Sequence, residues 1–361
     1  MEHPNQKMNQ ENKTSGKNWF DKNYRFLLII TLMLLLSSIA YIFYFHQINH
    51  DFIHRDLSLT GGTTITVFSP ISSTELQNAL KNQIPDLETR YLLDSTGKQN
   101  QIVIMTSAKP EEVIPILEKY FNFKLDSTNS SVEFTGSTLS SDFYKQLGIT
   151  VLIAFFWMAG IVFIIFAPKW KIKLLAVFLN LLFGIFLGKI FFKLAPTVSF
   201  SILFMFMALL IFIYIRYSIP SFAVMACAFA DIITTLAVVD IIGMKISAAG
   251  IVSFLMLIGY SVDTDILLTT RVLKRVGTSV NHEIFGAFKT GMTMTLTAIA
   301  AVAVALTVVH PFGTALNQMF EILLIGLCFD IVNTWITNVV LIKWFVEAKT
   351  EKEISSSFSV K

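Results

Sequence analysis

Apolar residues gather in long runs separated by short polar breaks, with one long mixed interval near the start. The first run, 26–45, has about 20 residues, the length that crosses a bilayer as a helix. From Leu147 onward the chain is apolar again. Runs at 147–166, 172–192, 198–217, 219–242, 247–270, 290–309 and 318–345 bring the predicted number of membrane helices to eight. The break at "FAPKWKIK" is sharp, and so is "YIRYSIPS" with Pro220. The break around "KLAPTVSF" is weaker, so 172–217 reads as two spans or as one long bent element.

The interval 46–146 has the periodicities of a water-exposed domain. "TTITVF" from Thr63 alternates like a strand. In "SSTELQNALKNQI", Leu76, Leu80 and Ile84 recur every four residues on one helix face, and Ser72 with Glu75 fits a capping box. "ETRYLLD" and "QIVIMTS" read as strands around the turn signal "STGK". Pro110 opens a second helix, which Pro115 is expected to bend, and "FKLDSTNSSVEF" supplies a last strand or hairpin. The order β-α-β-β-α-β predicts a ferredoxin-like α+β domain between the first and second spans. The expected organisation is a polar tail 1–25, a span 26–45, this domain at 46–146, a helical bundle at 147–346 and a polar tail 347–361.

Composition agrees with a multispanning membrane protein. Of 361 residues, 54% are hydrophobic and only 15% charged, too apolar a balance for a soluble enzyme. The net charge of +3 comes from basic residues in loops, which act as orientation signals rather than a nucleic-acid surface. Lys169, Lys171 and Lys173, then Arg216, then Arg271, Lys274 and Arg275, then Lys343 and Lys349 fall on one side only if there are eight spans. That side is cytoplasmic by the positive-inside rule, with both termini, and the 46–146 domain is extracytoplasmic. Cys227 and Cys328 read as small buried residues without a disulfide partner. His46, His50 and His54 read as interfacial polar residues; on one continuous helix their spacing would also present a metal-binding face. No phosphate loop, nucleophile constellation, cofactor motif or metal cluster stands out, so neither an enzyme nor a bound cofactor is expected.

The candidate chemistry lies in "LMLIGYSVDTDILLTTRV", an apolar stretch with two carboxylates, Asp263 and Asp265. A mid-span Asp costs about 2.5–3.5 kcal/mol on insertion scales, and such residues mark ion or proton pathways. Desolvation moves a carboxyl toward reversible protonation near neutral pH. Two residues apart is about 200° around a helix, so the two acids face different neighbours. Asp265 shares a stripe with Ser261 and Thr269. Asp263 shares its face with Gly259 and Leu267, where a neighbouring helix has room to approach. Expected partners are Asp231, with Thr234 and Thr235 nearby; Lys289, followed by Thr290, Thr293 and Thr297; and Asp330, with Asn333 and Asn338. Blander readings stand beside these: Asp265 snorkelling to the cytoplasmic edge, Lys289 as a positive-inside anchor, and the Thr, Ala and Gly run as close helix packing.

"LMLIGYSVDTDILLTTRVLKR", with Gly259, Tyr260, Ser261 and Arg271, resembles the fourth-span motif of the SecF family, above all its archaeal form. "FKTGMTMTLT", with Thr290 and Thr293, resembles the fifth-span motif, and "FDIVNTWITN", with Asp330 and Asn333, the sixth. "ADIITTLAVV" resembles the third-span Asp motif. "LSLTGGTTITV", with Gly61 and Gly62, resembles the signature that opens the outer domain; a Gly-Gly at a strand start also serves simply as a bulge or tight turn. The resemblance implies a subunit of the SecDF complex, in the resistance–nodulation–division superfamily. A SecD-like subunit, a SecY/SecE-type channel and an unfolded exported polypeptide are the implied partners, in a lipid bilayer. The implied role is assistance to late protein export, which bacteria drive with the proton-motive force; in this chain Asp263, aided by Asp265, Asp231 and Lys289, is the expected proton-coupling group. Bacterial members carry Asn-Asp where this chain has Asp263-Thr264, Arg at Lys289 and Ser at Met294. The family pattern has six spans, which makes 168–217 an inserted hairpin. Two alternatives remain open at this point: a proton-driven small-molecule exporter of the same superfamily, and a non-transducing scaffold of the channel.

Overall fold

The computed structural model describes residues 19–93, 99–310 and 315–358. The turn "STGK" at 95–98 lies outside the described residues. Among the described residues, eight helical segments are long and apolar enough to cross a membrane: Asn23–Asn49, Ser137–Phe166, Trp170–Lys193, Pro196–Tyr217, Ile219–Ile242, Ala248–Leu273, Val280–Val309 and Ala315–Glu351. The first lies in helix α1 (Trp19–Asn49). A one-turn helix α2 (Leu57–Thr60) follows, and then the small domain.

That domain runs β1 (Gly62–Phe68), α3 (Ser73–Leu80), β2 (Glu88–Leu93), β3 (Gln99–Thr106), α4 (Pro110–Phe121) and β4 (Ser130–Thr135). The strands form one antiparallel sheet in the order β2-β3-β1-β4. Period-2 alternation turns Ile65, Val67, Ile102 and Ile104 to one face, and Leu76, Leu80, Val113, Leu117 and Phe121 from the two helices cover it. Ile84 is buried with Leu76 and Leu80, but from the turn after α3. Pro115 is carried inside α4 without ending it. The Ser72–Glu75 capping box does not form: Ser72 Oγ pairs instead with Thr74 Oγ1 at 2.7 Å, satisfying one side chain with another.

Gly61 and Gly62 stand where the chain enters and leaves the domain. Gly61 has φ +84°, and a Cβ there would lie 2.7 Å from the Ser137 Cα. Gly62 has φ +150°, and its Cβ would lie 2.3 Å from the Thr106 carbonyl oxygen. The pair lets two backbones touch, which no other residue permits.

The bundle contains α5 (Ser137–Phe166), α6 (Trp170–Ile185), α7 (Pro196–Tyr217), α8 (Ile219–Ile242), α9 (Ala248–Leu273), α10 (Val280–Val309), α11 (Ala315–Val332) and α12 (Val339–Phe358). Between α6 and α7 the helix loosens into a π turn at Phe186–Ile190 and a 3₁₀ turn at Phe191–Lys193, and Pro196 starts a new helix. The 172–217 segment is therefore two spans, not one bent element. They pair antiparallel, with Asn180 donating to Tyr214 Oη at 3.0 Å and Phe183 against Phe206. Asn180 also fills the space opposite Gly160, where a Cβ would come within 3.0 Å. Tyr214→Phe is expected to lower unfolding stability by about 0.6 kcal/mol, the average of a hydrogen bond between membrane helices. Thermal unfolding in bicelles measures it.

The most apolar windows of α8 and α9 are 61% and 56% buried, against 11% for α10, so α8 and α9 form the centre and α10 the rim. Cys227 on α8 is buried as expected; Cys328 is exposed, because its side of α11 faces away from the bundle. The three histidines share no helical face: α1 ends at Asn49 and His50 takes φ +54°. His46 stacks on Phe52 and His54 packs edge-on to Phe45.

Candidate functional site

Three carboxylates from three helices meet at the bundle centre: Asp231 on α8, Asp265 on α9 and Asp330 on α11, exposed by 0, 0 and 1%. Ser261 Oγ donates to Asp231 at 2.6 Å and Asn333 Nδ2 donates to its other oxygen at 2.7 Å. Ser261 also faces Asp330. Asn338 Nδ2 donates to Asp265 Oδ1 at 2.7 Å. Thr334 Oγ1 lies 2.9 Å from Asp265 Oδ1 and 3.1 Å from Asp330 Oδ1.

The last three partners sit on a π turn at Asn333–Asn338 that joins α11 to α12. A π turn widens the helix, and such turns recur at functional sites. Here Asn333, Thr334 and Asn338 are all buried toward the carboxylates. Asn333 and Asn338 were legible as polar residues in an apolar run. Thr334 was missed, although positions 330, 333, 334, 337 and 338 form one polar stripe at helical spacing.

Thr334 requires a particular hydrogen-bond arrangement. A hydroxyl has one proton to donate and lies here within reach of two carboxyl oxygens. If it donates to one, the other contact becomes a full two-centre hydrogen bond only when that carboxyl carries a proton and donates in turn. Asp265 Oδ1 already accepts from Asn338, so the natural order is Asp330 O–H to Thr334, and Thr334 O–H to Asp265. No basic side chain bonds the three carboxylates among the described residues. Among the described residues Asp265 Oδ2, Asn338 Oδ1 and Thr269 Oγ1 are buried without a partner, which leaves acceptor capacity for a further proton at this end.

Asp263 is placed differently. It is exposed on the side of α9 away from the cluster, in line with exposed Val252, Met256 and Tyr260. Beside it the helix surface is open among the described residues: a Cβ on Gly259 would meet nothing within 4 Å. The close approach falls one residue on, where Gly291 of α10 packs against Thr264 and the Trp335 ring. Lys289 is exposed on α10 and makes no ion pair among the described residues, so the acid–lysine pair expected within this chain is not formed. Thr290, Thr293 and Thr297 spend their hydroxyls on carbonyls of their own helix, and Arg271 lies exposed beside Gly286.

The fold and site define a multispanning membrane protein with a small β-sheet domain after its first span and a polar, carboxyl-rich centre. Its backbone resembles the crystal structure of SecDF, a translocon-associated membrane protein from Thermus thermophilus, with a TM-score of 0.54 at 14% identity. That likeness covers 91% of this chain and 39% of the other, and it is a likeness of fold. Residues 188–348 match the family described as "Protein export membrane protein SecD/SecF, C-terminal". The protein-export membrane protein SecF of Methanocaldococcus jannaschii is 31% identical over 92% of this chain and 99% of its own length. The SecF of Haloquadratum walsbyi is 28% identical over 90% and 92%. The chain belongs to the SecF family.

Proposed function

We propose that this chain assists protein export as the SecF-like half of a SecD–SecF pair, and that its intramembrane carboxylates couple export to a proton gradient. The observation that carries the coupling is the Thr334 bridge, a single hydroxyl between two buried carboxyls with no basic group bonded to them. Such a cluster holds protons as its counter-charge, and gaining or losing one changes which helices it ties together. Because the ties run between α8, α9 and the 333–338 turn, a proton shifts helices rather than a single side chain.

Asp263 fits a second role in the same reading. An acid facing hydrocarbon costs about 2.5–3.5 kcal/mol, which a polar partner helix removes. The exposed stripe of Val252, Met256, Tyr260 and Asp263 is the surface such a partner would cover. The SecD-like subunit is that partner, and the SecY/SecE-type channel and an unfolded exported chain are its working context. The domain at 62–135 is read as ferredoxin-like and extracytoplasmic, with both termini cytoplasmic, following the loop charges.

Photocrosslinkers at Met256 and Tyr260 test the docking, with Phe204 on the inserted hairpin as a control. The expected result is capture of the SecD-like subunit from Met256 and Tyr260 and of lipid from Phe204. Lipid alone from all three would rule the docking out. Asp263→Asn is expected to assemble normally and to lose gradient-stimulated export. If export and assembly are both unchanged, coupling does not run through Asp263.

A further inference from the structure

Asp240 is a further buried acid, outside the central cluster and unused by the reading above. It lies on α8, the helix of Asp231, nine residues further on, or about 13 Å along the axis. It is 2% exposed, and among the described residues neither carboxylate oxygen has a well-formed hydrogen bond. The His54 main-chain N–H approaches it without reaching that geometry. One turn from Asp231 toward it, the buried Thr235 hydroxyl also lacks a partner.

The surroundings are built rather than accidental. Tyr41 of α1, Asp51 of the linker after α1 and Tyr144 of α5 lie within electrostatic range of Asp240, and the His54 backbone lies beside it. Arg55 is committed elsewhere: it pairs with Asp51 at 2.5 Å and lies over the Tyr144 ring. Tyr144 Oη donates to Asp51 at 2.9 Å. Lys245, on the loop after α8, is taken by Glu88 of β2. Among the described residues Asp240 thus makes no ion pair, although charged groups stand close by.

The place matters as much as the burial. Just above Asp240 the linker is stapled to the α8–α9 loop by Ile246 N–H to His54 O at 2.6 Å and Asp56 N–H to Ile246 O at 3.0 Å. Ser58 Oγ accepts from the Ala248 N–H at 3.3 Å. This joint connects the bundle to the chain that enters the β-sheet domain. A carboxyl without donors beneath it is held either as a neutral acid or by water that enters from the domain's side.

We propose that Asp240 is a second proton-binding site of this chain, separate from the central cluster and seated under the joint that carries the outer domain. The site takes a proton, with water as its carrier, and its charge is felt first by the His54–Ile246 staple. This inference does not depend on the export role.

Infrared difference spectra of the full chain in nanodiscs, taken between acidic and alkaline buffer in H2O and D2O, test it. The expected result is a deuterium-sensitive carboxylic C=O band that disappears in Asp240→Asn and persists at a shifted frequency in Asp240→Glu. A spectrum of folded Asp240→Asn identical to the wild type would overturn the proposal. Should Asp240→Asn fail to fold, Asp240→Glu decides: a displaced band supports the site, and an undisplaced spectrum overturns it. The readout involves no export, so the export reading stands or falls by other measurements.

Discussion

Asp231→Ala is expected to destabilise the bundle by about 2–6 kcal/mol, the loss from orphaning two buried donors. Ser261 and Asn333 would each keep a donor aimed at an empty space. Each orphaned donor costs about 1–3 kcal/mol, and the removed volume adds to it. Asp231→Asn is expected to cost under about 1.5 kcal/mol, the net value of an ordinary hydrogen bond. Its carbonyl oxygen still accepts from Asn333, and the Ser261 hydroxyl turns to accept from the new amide. Unfolding of the purified chain in mixed detergent, followed by tryptophan fluorescence, measures both. Equal stabilities of the Ala and Asn variants would mean that the cluster is not bonded as described.

Gly62→Val is expected to unhinge the small domain at a cost of roughly 2–6 kcal/mol, adding backbone strain to overpacking of about 1–3 kcal/mol each. The branched side chain would press on the Thr106 carbonyl and hold a backbone angle that only glycine adopts readily. Gly136→Ala is the matched control, since a Cβ there meets nothing within 4 Å and its φ is −65°. Proteolysis of folded membranes reads the difference: rapid cleavage within 62–135 for Gly62→Val, wild-type resistance for Gly136→Ala.

Much of the architecture was legible because the bilayer imposes length on hydrophobic runs. The eight spans follow from that alone, and the β-α-β-β-α-β order follows from two simple periodicities. The weak break near Pro196 was ambiguous because apolar residues continue through it; only the backbone shows the turn. The site was half legible. Asp231, Asp265 and Asp330 stand out as acids in apolar runs, but the run alone does not give the direction of each side chain. Asp263 and Asp265 differ by one helical face, and that face separates the bundle centre from an uncovered surface. Thr334 was missed because a threonine in a membrane helix ordinarily bonds its own backbone, as Thr290, Thr293 and Thr297 do here. The π turn that frees it has no signature in hydropathy. Asp240 was passed over because it lies at the end of a span, where an acid is cheap in the isolated helix; the linker and α5 bury it.

The account turns on whether the buried carboxyl centre, not the exposed stripe alone, links a proton gradient to export. Rates of reporter-protein export into vesicles containing the channel, the SecD-like subunit and this chain, with and without an imposed proton gradient, measure that most directly for Asp265→Asn. An asparagine there keeps the contacts of Thr334 and Asn338 with Oδ1 but has no proton to exchange. The predicted result is a wild-type rate without the gradient and no acceleration when the gradient is applied. Full acceleration in Asp265→Asn, in vesicles where the complex is intact, would contradict it.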